Sequence, residues 1–189
     1  MRLICSTVRI MLVINKIRSQ LVQNAASILR SPVHLIPSFV QKKAMLDSML
    51  MVFREAIDDG DFAFLSDKWL KIEIHDMNLH WYISYQNDNL IIANKEVIED
   101  VRFSGNLNDL VLIAGRKEDP DTLFFQRRLL IEGDTELGLE VKNLMDSIDL
   151  EQFPKPMQVV LQQLAEFVHK GLSEPAAQSN NEVVHAYSN

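Results

Sequence analysis

Three carboxylates lie close together where RRLLIEGDTELGLEVKNLMDSI (127–148) passes from an apolar stretch into an amphipathic one. Glu132, Asp134 and Glu136 are spaced so that one could donate and another accept a proton in acid–base catalysis. A structural interpretation competes with this one. Asp134 stands where a helix N-cap belongs, Glu136 suits the positive end of a helix dipole, and Gly133 permits a sharp turn. We favour the cap, and therefore expect Asp134 to be structural.

The other residues able to bind a metal or attack a substrate form no recognisable motif. His75 and His80 lie on different predicted strands, with a spacing that does not converge on a metal ion. Cys5 is the sole cysteine, which excludes an internal disulfide and a cysteine-based zinc cluster. The sequence has no nucleophile elbow, Walker loop or dinucleotide-binding glycine motif. We therefore predict a protein that is not an enzyme and has no metal or cofactor.

Basic charge is concentrated near the N-terminus. Segment 1–46 has seven basic residues and no acidic one, whereas the remainder has 12 basic and 26 acidic residues, so the two parts carry +7 and −14. Such an asymmetry predicts a basic arm on an acidic body. The seven residues of the arm are Arg2, Arg9, Lys16, Arg18, Arg30, Lys42 and Lys43.

Apolar residues recur at helical spacing within this arm and predict an amphipathic helix. They are Ile14, Ile17, Leu21, Ala25 and Ile28, while Lys16, Gln20, Gln23, Ser27 and Arg30 fall elsewhere. The helix can lie on an anionic membrane surface, contacted by Lys16, Arg18, Arg30, Lys42 and Lys43. It can equally pack on its own domain with the basic face in solvent. Nucleic-acid binding is disfavoured, because no aromatic residue precedes Phe39 for base stacking.

The remainder of the chain has the pattern of an α+β domain. Period-two alternation predicts strands in WLKIEIHD (69–76), LHWYISY (79–85), LIIA (90–93), VRFS (101–104) and RRLLIEG (127–133). Pro32 and Pro37 are expected to end the first helix, and Ser38 to cap a second that runs to Asp58. Further helices are predicted after Asn106, after Asp119, after Asp134 and over 155–171.

This pattern divides the chain into three parts. We expect a basic helix with a proline linker over 1–37, a domain over 38–171, and a disordered tail over 172–189. No apolar run is long enough to span a membrane. No cleavage site follows the first apolar residues, which Arg9 interrupts, and Met11 is an alternative initiator. These features predict a cytoplasmic protein, with peripheral attachment at the inner membrane as a further expectation.

Residues 69–149 resemble the sterol carrier protein type two family. The resemblance is carried by WLKIEIHD, LHWYISY, the strand-to-helix step VRFSGNLNDLVLIAGRK (101–117) and the ending RRLLIEGDTELGLEVKNLMDSI. It implies a curved antiparallel sheet of about five strands, covered by helices around an apolar lipid tunnel. The block KEDPDTLFFQRRLLIEGDTELGLEVKNLMD (117–146) is most similar to bacterial members of this family that serve ubiquinone biosynthesis.

The resemblance implies a non-enzymatic accessory role in ubiquinone biosynthesis without oxygen. The protein would bind the isoprenoid tail of an intermediate, or a membrane lipid, and present it to enzymes. The iron–sulfur proteins UbiU and UbiV, other ubiquinone enzymes and an anionic membrane surface are the implied partners. Two alternatives stay open: a general phospholipid or fatty-acyl carrier, and a docking module without lipid transfer that uses Arg127 and Arg128.

Helix faces, rather than any family binding pattern, give the candidate tunnel residues. Flexible methionines and aromatic rings suit a cavity that adapts to a long apolar ligand, although such a stripe is equally typical of ordinary core. The expected lipid-binding residues are Leu110, Ile113, Leu123, Phe124, Leu137, Val141, Leu144 and Met145, with Leu164 and Phe167 as a candidate lid.

Overall fold

A computed structural model describes residues 2–148 and 153–173, with side chains from residue 13 onward. The described residues form eight α-helices, one 3-10 helix at Asp61–Leu65 and five strands. The helices are α1 (Arg2–Gln23), α2 (Ala25–His34), α3 (Ser38–Val52), α4 (Arg54–Asp58), α5 (Leu107–Ala114), α6 (Pro120–Phe125), α7 (Thr135–Asp146) and α8 (Lys155–Ser173). The strands are β1 (Leu70–Ile74), β2 (Leu79–Gln86), β3 (Asn89–Ile92), β4 (Val101–Gly105) and β5 (Leu129–Gly133).

The five strands form one curled sheet in the order β3-β2-β1-β4-β5. This confirms the α+β class and the number of strands. Pairing is antiparallel except between β1 and β4, which are parallel. A parallel pair needs a crossover connection rather than a hairpin. Residues 93–100 make that crossover, because they carry the chain from the edge strand β3 back to the middle of the sheet.

One face of the sheet supplies most of the core. Leu70 and Ile72 of β1 lie beside Val101 and Phe103 of β4, as their alternation predicts. Phe62, from the 3-10 helix, is fully buried against this face. The opposite face carries charged pairs, among them Lys71 with Glu73 and Arg102 with Glu99.

The N-terminal helices end and begin at different residues from those predicted. Pro32 lies inside α2 and does not end it, although a proline beyond the first turn removes one helical hydrogen bond. The actual breaks fall at Asn24 and at Pro37. Ser38 is the first residue of α3 rather than its cap, and the flanking Pro37 has the extended backbone of the N-cap position.

The helix predicted over 38–58 is divided into α3 and α4 at Phe53, whose backbone leaves the helical region. The Phe53 ring meets the buried ring of Phe62 edge-on, with 5.6 Å between the ring centroids. The kink leaves this ring packed against the core, while the amide of Phe53 still donates to the Met49 carbonyl oxygen at 2.9 Å. The predicted stop after Asp58 is confirmed, with Gly60 in the left-handed region at φ 82°.

α8 packs against α1 and against the end of α5. It runs two residues past the predicted end at Gly171, and the tail predicted over 172–189 lies outside the described residues from 174 onward. Val22 of α1 is buried against Gly171, and its carbonyl oxygen accepts a hydrogen bond of 3.0 Å from the Asn108 side chain. Across the described helices, none combines the length and the apolarity that spanning a bilayer requires.

Candidate functional site: an apolar cavity

A partly open cavity of about 860 Å3 lies between the inner face of the sheet and the helices. Its size falls within the range of small-molecule and lipid pockets. The sheet contributes Leu70, Ile72 and Phe103, and the 3-10 helix contributes Phe62. The helical walls are formed by Met49, Val52, Leu110, Ile113, Val141, Leu144, Met145, Met157 and Leu161. Such walls suit an apolar ligand, because they offer contact area without polar groups to satisfy.

The cavity brings together half of the predicted lipid-binding residues. Leu110, Ile113, Val141, Leu144 and Met145 line it. Leu123 and Leu137 are buried in the adjoining core and do not reach the cavity wall. Phe124 packs against the same core and lines a second, smaller groove beside α7.

The two residues expected to form a lid lie elsewhere. Leu164 and Phe167 are on the outer side of α8, 45% and 41% exposed, and neither lines the cavity. Phe153, Met157 and Leu161 occupy that wall instead. Helical periodicity alone could not separate these positions, because α8 has apolar residues on more than one face.

Several wall residues were missed although their signals were present. Leu70 and Ile72 lie on the inward side of an alternating strand, so strand alternation could have identified them as wall residues. Met49 and Val52 stand three apart on α3, which is typical of one helix face. Phe62 had no such signal, because a short 3-10 helix carries no extended periodicity.

Charged residues border the cavity between α5 and α6. Arg116 adopts a left-handed backbone at φ 52°, and Asp119 caps α6 by accepting a 3.0 Å hydrogen bond from the amide of Thr122. Lys117 forms an ion pair with Glu166 of α8, which also pairs with Lys170 at 2.9 Å. Hydrogen bonds from Lys117 and then Lys170 lower the pKa of Glu166 to about 2. This exposed bridge joins α8 to the cavity rim.

The strand-to-helix corner confirms the capping interpretation of Asp134. Its Oδ1 accepts hydrogen bonds of 2.9 Å from the amide of Glu136 and 3.1 Å from that of Leu137. Gly133 has φ 111°, and a Cβ there would stand 2.4 Å from the carbonyl oxygen of Asp100. Both residues therefore shape the corner that orients α7 along the cavity.

Asp100 holds the other side of the same corner. Its carboxylate accepts a 2.8 Å hydrogen bond from the amide of Trp69 and a 3.2 Å hydrogen bond from Lys68. The amide of Trp69, followed by Lys68, lowers the pKa of Asp100 despite an opposing effect of burial. Asn106 has the extended backbone of a cap, but its side chain makes no cap bond. The Asp76 carboxylate accepts a 3.0 Å hydrogen bond from the Leu107 amide at this helix start.

The histidines and arginines considered in the sequence lie away from the cavity. His75 and His80 are exposed and approach Glu73 and Glu96 at 3.7 and 3.8 Å. Among the described residues, no group of three or more His, Cys, Asp or Glu side chains could hold a metal ion. Arg128 is half-buried and paired with the buried carboxylate of Asp109, so it ties β5 to α5 rather than standing free for contacts.

The predicted membrane-facing basic residues divide into two groups. Lys16, Arg30 and Lys43 are exposed. Arg18 is half-buried and donates a 3.1 Å hydrogen bond to Asn15, and Lys42 donates to the Asn94 side chain at 3.4 Å. Lys43 also pairs with Asp47 of α3 at 3.1 Å, so the exposed basic charge without an acid on its own helix lies on α1 and α2.

A curled sheet with helices closing an apolar cavity is the architecture that the sequence resemblance implied. The sequence profile of the SCP-2 sterol transfer family matches residues 46–146, more than half of the chain, and the chain belongs to this family.

Individual relatives place the chain more closely. It is 50% identical to the ubiquinone biosynthesis accessory factor UbiT of Escherichia coli K12 over 160 residues, which cover 84% of this chain and 91% of that protein. UbiT of Escherichia coli O157:H7 gives the same values. The solved structure of a UbiJ-SCP2 ubiquinone synthesis protein has a TM-score of 0.45 at 13% identity, covering 57% of this chain and 94% of that one. Sterol carrier protein 2 like 2 from Aedes aegypti has a TM-score of 0.33 at 17% identity, covering 50% and 94%.

Proposed function

We propose that this protein is a non-enzymatic accessory factor of ubiquinone biosynthesis that carries an isoprenoid lipid in its apolar cavity. The observation behind this proposal is the cavity itself, whose walls are mostly aliphatic, aromatic or thioether side chains, with charged residues at its border. At the strand-to-helix corner, the Asp134 carboxylate caps α7, which gives this acid a structural role. The 50% identity to UbiT supports a role in this pathway.

The hydrophobic effect favours transfer of a long isoprenoid tail from water into the cavity. Burying one methylene group is worth about 0.8 kcal/mol. A water-sized group occupies roughly 30 Å3, so a cavity of 860 Å3 accommodates roughly 30 groups of carbon size. The tail would lie against Leu110, Ile113, Val141, Leu144 and Met145, with its polar ring toward the charged rim.

The carrier would act in the oxygen-independent route and deliver its cargo to the iron–sulfur proteins UbiU and UbiV. A prenylated phenol held in this way keeps its ring accessible while its tail is shielded. Exposed Lys16, Arg30 and Lys43 would hold the carrier at the cytoplasmic surface of the inner membrane, where such lipids reside. The pathway relationship to UbiT and the basic N-terminal charge support this placement.

A substitution that fills the cavity tests the proposal. Val141 is buried in the cavity wall, whereas Leu139 on the same helix is 57% exposed and does not line it. Val141→Trp is expected to reduce retention of a prenylated phenol at least tenfold, and Leu139→Trp to leave it unchanged. Equal retention by the two variants would overturn the cavity as the lipid site. Retention of phospholipid in place of the prenylated phenol would instead favour a general phospholipid carrier.

A docking module without lipid transfer is a second candidate. Phe125 is 90% exposed beside the smaller groove at α7, where Leu139 is also exposed, and such a patch suits a protein contact. Pull-down of UbiU and UbiV with Val141→Trp separates the two roles. A docking module keeps both its partners and its support of ubiquinone synthesis when the cavity is filled, whereas a carrier loses that support.

A further inference from the structure

Helix α1 turns its apolar side away from the rest of the protein. Ile14, Ile17 and Leu21 are 55%, 51% and 47% exposed, and they share one face of the helix. The side turned inward is mostly polar: Asn15, Arg18 and Ser19 are half-buried there, and Val22 is the buried residue that contacts α8. An amphipathic helix that packs only on its own domain would bury its apolar face and expose its polar face. The apolar face of α1 is therefore available to contact an apolar environment outside its own domain.

Neighbouring helices leave further apolar side chains in solvent. On α8, Val160, Leu164 and Phe167 are exposed at helical spacing, next to the helix's buried contact with α1. We call the whole set the outer apolar surface. It consists of Val13, Ile14, Ile17 and Leu21 of α1 together with Val160, Leu164 and Phe167 of α8, the helix against which α1 packs.

The distribution of charge along the chain indicates which kind of partner can cover the outer apolar surface. No acidic residue occurs before Asp47, and α8 carries Lys155, Lys170 and Glu166, a net +1, while the rest of the chain carries −15. An anionic bilayer would attract the helical arm and repel the body, so it would orient the molecule with the outer apolar surface toward the lipid. A second copy of the chain would instead bring two basic arms together, which like-charge repulsion opposes.

We propose that the outer apolar surface inserts into the interfacial region of an anionic bilayer, so that α1 and α8 lie in the membrane plane beside the cavity. This proposal rests on the proposed lipid-carrier function and adds the surface through which cargo would be exchanged. All of its residues lie outside the family match at 46–146, so the insertion belongs to the flanking helices rather than to the family domain.

α8 is the element that links the bilayer to the cavity. Met157 and Leu161 line the cavity, while Val160 and Leu164, on the same turns, are exposed. A helix with its side chains is about 10 Å across, so insertion of the outer side would leave only the thickness of α8 between bilayer and cavity. A tail could then pass beside α8 without crossing bulk water.

Flotation with vesicles of phosphatidylglycerol and phosphatidylcholine tests the insertion. The paired change Ile17→Ser and Leu21→Ser is expected to reduce vesicle binding about tenfold or more, since two half-exposed aliphatic side chains lose their transfer from water. Ile98→Ser is the matched control, because Ile98 is 90% exposed on the crossover loop and should not reach the bilayer. Equal loss in the control, or unchanged binding of the paired variant, would overturn the proposal.

A tryptophan reporter separates insertion from simple charge attraction. With Trp69 and Trp81 replaced by Phe in both proteins, Ile17→Trp fluorescence should shift to the blue on binding vesicles and be quenched by brominated lipid acyl chains, whereas Ile98→Trp fluorescence should do neither. Lys16→Gln should weaken binding about fivefold while leaving the quenching of the bound fraction unchanged. Bound protein in which the Ile17→Trp reporter stays unquenched would overturn insertion.

Two further measurements distinguish a failure of membrane insertion from a failure of the carrier function. The paired serine variant should retain a prenylated phenol in solution as the unsubstituted protein does, because the outer apolar surface lies outside the cavity wall. If phenol retention is normal in all proteins and none binds vesicles, insertion is wrong and the carrier function stands. Concentration-dependent self-association that the paired variant abolishes, without vesicle binding, would assign the surface to a second copy and overturn the proposal.

Discussion

Replacing Asp134 distinguishes a structural carboxylate from a functional one. The side chain accepts two amide hydrogen bonds at the start of α7, from Glu136 and Leu137. Asp134→Ala removes both, whereas Asp134→Asn keeps a side-chain oxygen that can accept them. The pair of variants therefore changes capping and charge separately.

The expected magnitude follows from the cap. Losing an N-cap acceptor costs about 1 kcal/mol, within a range of roughly 0.5–2 kcal/mol. For a domain of this size, that lowers the melting temperature by about 2–4 °C. The loss is small beside a total stability of about 5–15 kcal/mol, so Asp134→Ala should stay folded and retain lipid at ordinary temperature.

Thermal unfolding and lipid retention measured on the same preparations check this expectation. Asp134→Asn should melt within about 1 °C of the unsubstituted protein, since asparagine caps about as well as aspartate. The capping account fails if Asp134→Asn melts normally but no longer retains lipid or supports ubiquinone synthesis. That result would show that the charge of Asp134, rather than its cap bonds, is needed.

The remaining predictions concern the corner, α8 and the cavity. Gly133→Ala should cost about 2 kcal/mol or more in urea unfolding, because its Cβ would strike the Asp100 carbonyl oxygen at positive φ; a cost below about 0.5 kcal/mol would contradict this. The Glu166 bridge is fully present above the ordinary pKa near 4.5 and is lost as pH falls toward about 2. As the pH is lowered over this range, the melting temperature of the unsubstituted protein should therefore fall more steeply than that of Glu166→Gln. Parallel curves of melting temperature against pH would argue against the bridge. Affinity for prenols of increasing length, measured by probe displacement, should level off near roughly 30 carbons, whereas a steady increase to about 40 would show a larger site.

The sequence predicts most of the sheet, because its strands alternate cleanly between apolar and polar side chains. Leu70 and Ile72 face the core as their alternation requires. The parallel pairing of β1 with β4 was not predictable in the same way. It depends on the path of the crossover at 93–100, and strand alternation is the same for parallel and antiparallel neighbours of this kind.

The cavity-lining residues were predictable on a helix that has a single apolar face. Val141, Leu144 and Met145 of α7 line it as their spacing indicates. α8 shows the limit of this reasoning, since Leu161 faces the cavity while Leu164 faces solvent. Three-dimensional packing against α5 and α1 decides which apolar face turns inward, and no local pattern records that choice.

The lipids that co-purify with the native protein test the central claim most directly. Extraction and mass spectrometry of the unsubstituted protein should yield prenylated phenols or quinones, and the same procedure on Val141→Trp should yield at least tenfold less. Leu139→Trp provides the matched control and should carry as much lipid as the unsubstituted protein. Prenylated lipid in equal amounts from all three proteins, or none from any of them, would contradict a carrier whose cargo lies in this cavity.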